Sequence, residues 1–548
     1  MRIFQEHRIR PVASLDGLWR LKTERGAFDA WVPGVWERIP ALAGYRGAGV
    51  YSRAVEIPED GNYLLKFGGV SHTADVCWDG APVAHHYNAF TGFEVLLAGV
   101  KAGAHALTVR ADNGYGPEST LHIPNDYYNY GGVTRPVELH RVGGAYIERM
   151  AFHSTEADGA FTAHVKVWVR ALDALKDARV AVRVADGRAC VPASAGAGET
   201  VCLEVEIPVR DVKRWDVGEG NLYDLSCVLL ENGAAVDDLV DRVGFRTVAV
   251  RGEDILLNGK KIFLKGFDRH EDHGLFGCAL SVEAMADDLQ LALDMGANSI
   301  RTSHYPNDPR FLDLCDQLGI LVWEEHHARA IPREILETET FARQISDCNI
   351  EMIAQHVNHP CIYVWGVLNE CESESEFGRA LYAKNLNQLR ALDPTRPVTF
   401  ASCRFFTDIC LDLPDIASFN IYPRWYVDEP VEDYTEKLLQ WMDASGAAGK
   451  PIIISEVGAG AVAGYRDPFG MAKWSEERQA AILEEQLTAL LANPRLSGAY
   501  IWQFADVRVD EEWAMRRPKT VNNKGVVDMF RRPKLAYATV RRIFRGKK

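Results

Sequence analysis

From Arg251 to the C-terminus the chain alternates short apolar runs with longer amphipathic ones, and no other feature narrows its fold so far. The apolar runs are "KIFLKGF", "SIRTSHY", "ILVWEE", "IYVWGVLNE", "PVTFAS", "IASFNIY", "PIIISEV" and "AYIWQFAD". Between them lie helical patterns such as "VEAMADDLQLALDMG" and "EEQLTALLANP". Strand and helix in strict turn imply a parallel α/β architecture. Eight such units in about three hundred residues predict a (β/α)8 barrel over 251–548. Each run is apolar first and ends in polar or charged residues. Those endings fall on the C-terminal rim, where such barrels carry their chemistry.

Before Arg251 the pattern is all strand. From Asp16 to Val142, "GVYSRAVEIPE", "GNYLLKFGGV", "TADVCWDGAPV" and "HALTVRADN" alternate apolar and polar residues between Gly, Asn and Asp turns. This predicts an antiparallel sandwich over 1–142. A second set, including "FTAHVKVWVRAL" and "VCLEVEIPV", predicts an immunoglobulin-sized sandwich over 143–250.

Charge and cysteine usage restrict partners and compartment. A net charge of -15 on 548 residues disfavours nucleic acid and anionic membrane, both of which need a basic face. No apolar run has the length of a signal peptide or a membrane span, and eleven cysteines, an odd number, include several in apolar runs. The expectation is a cytoplasmic protein without disulfides or a structural zinc site.

On the rim, the fourth run ends in Asn369-Glu370 and the seventh in Ser455-Glu456. A lone glutamate at a strand end is more often an ion-paired or helix-capping carboxylate. Two at the same end of one barrel can flank a single bond, as a retaining glycoside hydrolase requires. Tyr422, Trp425, Tyr426 and Trp502 offer flat faces for a sugar ring, or serve as ordinary packing.

These residues resemble glycoside hydrolase family 2, and within it the β-glucuronidases. The resemblance runs from "LDGLW" and "GVYSRAVEIP" through "NDYYNYGGVTRPV", "FDRHEDH", "GANSIRTSHYP", "WGVLNE" and "IIISEVG" to "IWQFAD". It implies a jelly-roll sugar-binding-type domain, an immunoglobulin-like domain and a catalytic barrel. It also implies Glu370 as acid/base, Glu456 as nucleophile, and Asn369 on the sugar 2-hydroxyl. Asp126, His304, Tyr422, Tyr426 and Trp502 would line the pocket, with His270 and Glu271 at the end of the first strand. No cofactor is implied. The expected partners are β-uronide small molecules or oligosaccharide ends, and members of the family are commonly homo-oligomers.

The segment "TVNNKGVVDMF" looks like a surface turn when read alone. Glucuronide-cleaving members carry an Asn-x-Lys-Gly element at the corresponding place. The resemblance therefore assigns Asn522 and Lys524 to the C6 carboxylate, with charge from the ammonium and direction from the amide. The implied activity is exo-cleavage of terminal β-D-glucuronides by double displacement. The alternatives are a β-galacturonidase, a β-galactosidase or β-mannosidase, and a non-catalytic carbohydrate-binding protein. A metal hydrolase using His270, His273, His326 and His327 lacks recognised ligand spacing.

Three departures stand out. Pro518 occupies the register where these enzymes usually carry arginine, with Arg517 and Lys519 on either side. Cys371 replaces a frequent proline after the acid/base. "HHARAIPREILETETF" is short for a leaving-group loop, which suggests an open aglycone side.

Overall fold

The computed structural model describes residues 2–469, 471–514 and 517–546. Its first unit is a sandwich of two antiparallel sheets. One has four strands in the order 12–14, 137–142, 61–67 and 93–100; the other has six, in the order 26–32, 17–23, 48–57, 103–112, 73–78 and 81–87. Along Gly17–Thr23 the burial alternates, so that Trp19 and Leu21 face inward while Arg20 and Lys22 face out. That period of two defines a strand with one dry face. The dry faces meet around Trp19, Trp36, Tyr51 and Phe67.

The second unit packs a three-stranded sheet, 145–157, 160–171 and 200–209, against a four-stranded one, 187–195, 175–184, 223–231 and 234–243. Ala160–Ala171 again alternates, burying Phe161, Ala163, Val165, Val167 and Val169. A small antiparallel sheet of Val248–Arg251, Asp254–Leu257 and Lys260–Lys261 then straddles the expected boundary at residue 250.

The barrel closes from eight parallel strands: β1 Leu264–Arg269, β2 Ser299–Thr302, β3 Leu321–Glu325, β4 Ile362–Gly366, β5 Val398–Ser402, β6 Ile416–Asn420, β7 Ile452–Val457 and β8 Leu496–Ile501. Every residue of β2 to β8 is buried, which explains the continuous apolar runs at the start of β3, β4 and β7. Two strands differ from the expectation. β1 begins at Leu264 because Lys261 pairs with Leu256 in the small sheet, and β8 ends at Ile501, leaving Trp502 just beyond it.

The helices between strands start and stop as their termini dictate. Ser281 accepts from Ala284 N at the start of the helix Val282–Met295, and Gly296 ends it at φ 91°. Among the described residues no helix is long and apolar enough to cross a membrane, and all eleven cysteines are unpaired.

The first sandwich is fastened to the rim. Arg135 donates to Glu271 at 2.9 Å and to Pro306 O at 3.0 Å, and Phe90 stacks on Tyr305 at 3.7 Å. These contacts bring the 113–136 segment over the mouth of the barrel. It is pinned there by Tyr127 OH to His327 Nε2 at 3.0 Å and Tyr130 OH to Asp272 at 2.8 Å.

Candidate active site

Arg301, in the middle of β2, organises the rim. It is fully buried and donates to Asp268 of β1 at 2.9 Å, to both oxygens of Glu325 of β3 at 3.1 Å, to Asn369 Oδ1 at 2.7 Å and to Glu456 of β7 at 3.2 Å. Parallel register makes this possible, since Asp268 is the direct neighbour of Arg301. The sequence reading missed Arg301. Its signal was an arginine within a buried barrel strand, Ser299–Thr302, which a barrel tolerates only with buried carboxylates around it.

Glu456 accepts a second bond, from Tyr422 OH at 2.5 Å. Burial and then the Glu370 charge push its carboxyl up to about 7, against the opposing pull of Arg301, Tyr422 and Arg329. The Glu370 charge is thus close enough to bear on the charge state of Glu456.

Glu370 lies four residues beyond β4, on backbone that takes positive φ at both Leu368 (46°) and Glu370 (52°). Non-glycine residues pay a small energetic cost there, and such geometry persists only when its surroundings hold it. Here His326 Nε2 accepts from Leu368 N at 2.7 Å, Tyr382 OH donates to Leu368 O at 2.6 Å, and Glu370 N donates to Ala401 O at 2.9 Å. The Glu370 carboxylate meets Asn420 Nδ2 at 3.0 Å and Arg329 at 3.3 Å. Because Arg301 takes Asn369 Oδ1, the buried Asn369 Nδ2 is left without a protein partner among the described residues.

A cationic corner adjoins this pair. Asp126, carried over from the first sandwich, accepts from Arg517 at 2.9 Å and Asn522 Nδ2 at 3.3 Å, and faces Arg329 at 3.5 Å. Burial raises its carboxyl, but Arg329, Arg517 and Lys524 outweigh burial and hold it well below the usual range.

Lys524 is 2% exposed, with its ammonium 5.5 Å from the Tyr422 ring centre and 5.2 Å from that of Tyr426. Burial and the Arg517 charge lower its pKa. Among the described residues no carboxylate lies within ion-pair distance of it. Gly525 fixes this position, because a Cβ there would stand 2.2 Å from Asp506 N and 2.4 Å from Val527 O. Asn523 points away, donating to Pro518 O and Val521 O at 2.7 Å, and so ties the turn. Arg517 thus joins the corner, whereas Lys519 is exposed.

Of the other expected residues, Tyr426 is 59% exposed at the mouth, while His304 and Trp502 are buried and stacked at 5.0 Å. His304 Nδ1 meets Glu325 at 2.7 Å, and His270 Nδ1 meets Tyr305 OH at 3.1 Å; among the described residues the Nε2 of each has no hydrogen-bond partner. Glu271 serves the Arg135 joint rather than the rim. Arg329 was also missed: it sits in the segment read only as a short loop, yet it faces both Glu370 and Asp126.

The histidines named for a metal site each have hydrogen-bonding roles instead. His326 meets Asn349 at 2.7 Å, His327 meets Tyr127, and His273 Nδ1 accepts from Leu275 N at 3.0 Å. Among the described residues the one group with metal-ligand proximity is Asp316, His359 and Cys361, at the opposite end of the barrel. There His359 Nδ1 is hydrogen-bonded to Asp316 at 2.6 Å.

A family model described as "Glycosyl hydrolases family 2, TIM barrel domain" matches residues 248–547, and one described as "Glycosyl hydrolases family 2" matches 145–246. A curated β-glucuronidase of Streptococcus agalactiae is 29% identical over 538 residues, covering 89% of this chain and 87% of that protein. The Rattus norvegicus β-glucuronidase is 31% identical over 428 residues, 76% of this chain and 63% of that one. Among solved structures, a family 2 β-galacturonidase from Eisenbergiella tayi bound to galacturonate superposes with a TM-score of 0.97 at 48% identity, over 100% of this chain and 99% of that one. A β-D-glucuronidase of Dictyoglomus thermophilum gives 0.88 at 26% identity, over 100% and 99%.

Proposed function

The chain belongs to glycoside hydrolase family 2, and from that premise we propose that it is a retaining, exo-acting β-uronidase whose preferred sugar is β-D-galacturonate. The observation that carries the uronide assignment is Lys524, a buried ammonium without a carboxylate of its own, beside Arg517 and Asn522. A buried charge is costly until it is paired. A C6 carboxylate supplies the missing partner, whereas the CH2OH of a neutral sugar does not.

The reaction divides between the two glutamates. Glu456, with Arg301 and Tyr422 donating to it, is the nucleophile toward the anomeric carbon. Glu370, the more accessible of the two, is the acid that protonates the leaving oxygen. Forming the glycosyl ester removes the charge on Glu456, so Glu370 can then accept a proton from water as it attacks from the vacated side. Two inversions give net retention. Asn369, whose orientation Arg301 dictates, has Nδ2 free for the sugar 2-hydroxyl.

The choice between C4 epimers rests on likeness. Identity of 48% to a β-galacturonidase, against 26–31% to the β-glucuronidases compared above, favours galacturonide and reverses the order read from sequence. Glucuronide is the second reading, supported by those curated relatives. Initial rates on p-nitrophenyl β-D-galacturonide, β-D-glucuronide and β-D-galactoside decide between them. Dominant galacturonide turnover is expected, dominant glucuronide turnover keeps the mechanism and moves the sugar, and a dominant galactoside rate overturns the uronide assignment. Glu456→Gln should abolish turnover in a folded protein, and wild-type-like rates would remove the proposed nucleophile.

A further inference from the structure

The segments following β7 and β8 form an open, shallow concavity of about 500 Å3, lined among others by Tyr465, Lys473, Trp474, Pro518 and Lys519. Its volume falls within the roughly 300–1,000 Å3 of small-molecule sites. One layer of aromatic rings separates it from the catalytic mouth. Trp474 packs edge-on against Trp425 at 5.0 Å, Trp425 lies 6.3 Å from Tyr426, and Tyr426 faces Lys524. Tyr465 is 43% exposed and Trp474 is half-buried, so aromatic surface remains for a ligand.

The charges around it are one-sided. Lys473 Nζ stands 5.0 Å from the Trp425 ring centre and 6.0 Å from that of Trp474. Among the described residues neither Lys473 nor Lys519 has an ion-pair partner. The neighbouring carboxylates are committed elsewhere: Glu476 accepts from Gly464 N at 2.7 Å and Leu535 N at 2.9 Å, and Glu477 pairs with Arg466 at 2.6 Å. On a chain of net charge -15, two unpaired ammonium groups beside exposed aromatic surface make a selective arrangement. A pyranose ring packs on the aromatic surface while its carboxylate meets the lysines. A neutral sugar would use only half of these groups.

We propose that this concavity is a second, non-catalytic site for a uronate residue of an acidic oligosaccharide, which holds polymer beside the mouth while a free β-linked end is cut. The assignment rests on the uronide reading of the catalytic pocket. The two sites share one backbone run, because Pro518 and Lys519 lie between Arg517, bound to Asp126, and the pair Asn522 and Lys524.

The test uses the full chain and α-linked tri-galacturonate, whose linkage a β-uronidase does not cleave, with maltotriose as neutral control. Calorimetric titration of wild type is expected to show tri-galacturonate binding that weakens with salt, and none of maltotriose. Lys473→Ala/Lys519→Ala should weaken that affinity by about tenfold while the rate on p-nitrophenyl β-D-galacturonide stays within about twofold; both lysines are exposed, so the fold is retained. Lys524→Ala should do the reverse. No tri-galacturonate binding to wild type, unchanged affinity in the double variant, or equal binding of maltotriose overturns the second site. An undiminished small-substrate rate in Lys524→Ala overturns the uronide reading instead.

Discussion

Replacing Lys524 by methionine removes a charge and three donors while keeping most of the side-chain volume. In the complex, the substrate carboxylate loses one charge-assisted bond, worth about 1.5–3 kcal/mol. Leaving a buried charge without a partner raises that cost toward about 3–5 kcal/mol. Arg517 and Asn522 remain in the corner, so the lower end applies. About 3 kcal/mol corresponds to a loss of roughly a hundredfold in kcat/KM, at about 1.4 kcal/mol per decade. Solvent screening does not soften this, because Lys524 is only 2% exposed. In the free enzyme the sign is opposite. Burial lowers the ammonium pKa, so the folded state binds that proton less tightly than the unfolded state, and the charge subtracts from stability at neutral pH. Lys524→Met should therefore lose uronide turnover without losing Tm. The assay is kcat/KM on β-D-galacturonide and β-D-galactoside with thermal unfolding of the same samples. An equal loss on both sugars, or a Tm that falls with activity, would refute the reasoning and make Lys524 a structural residue.

Other outcomes follow from the same geometry. Glu456 must be ionised to attack, and its carboxyl is pushed up to about 7, so kcat/KM should rise as pH rises through about 7, and Tyr422→Phe, by removing a donor that favours the charged form, should move that limb to higher pH while lowering the maximum rate; a limb that stays in place would separate Tyr422 from the titration of Glu456. His72, His122, His270, His304 and His327 are buried where the first sandwich meets the rim, and burial first of all lowers the pKa of each. Because their folded pKa values lie below the unfolded value of about 6.5, the stability they share is complete above that pH and is lost as pH falls. A Tm at pH 5 equal to that at pH 7.5 would contradict this. Gly525→Ala drives a Cβ into backbone at 2.2 Å, and should both lower Tm and cut uronide turnover at least tenfold; a fully active, stable variant would show that the turn can give way.

Much of the fold was legible because it depends on local periodicity. Alternation along Gly17–Thr23 and Ala160–Ala171 marked the sandwiches, and apolar runs with polar endings marked the barrel together with Glu370 and Glu456 on its rim. The beginning of β1 was not legible, since pairing of Lys261 with Leu256 is a contact between strands rather than a property of either. The organising cations were harder still. Arg301 gathers groups from β1, β3, β7 and the turn after β4, and Arg329 joins Glu370 to a carboxylate about two hundred residues earlier in the chain. Spacing within one strand carries no information about such partners.

By itself, then, the sequence determined the elements, their order and the two rim glutamates, because hydrogen-bonding period and side-chain polarity are written residue by residue. Only the tertiary structure decided that "NNKG" is a buried corner rather than a surface turn. Burial of Lys524 and Asn522, the inward reach of Arg517 and the arrival of Asp126 from another unit depend on the first sandwich closing over the barrel, and a charge acquires its energetic meaning only once the groups that exclude water from it are in place.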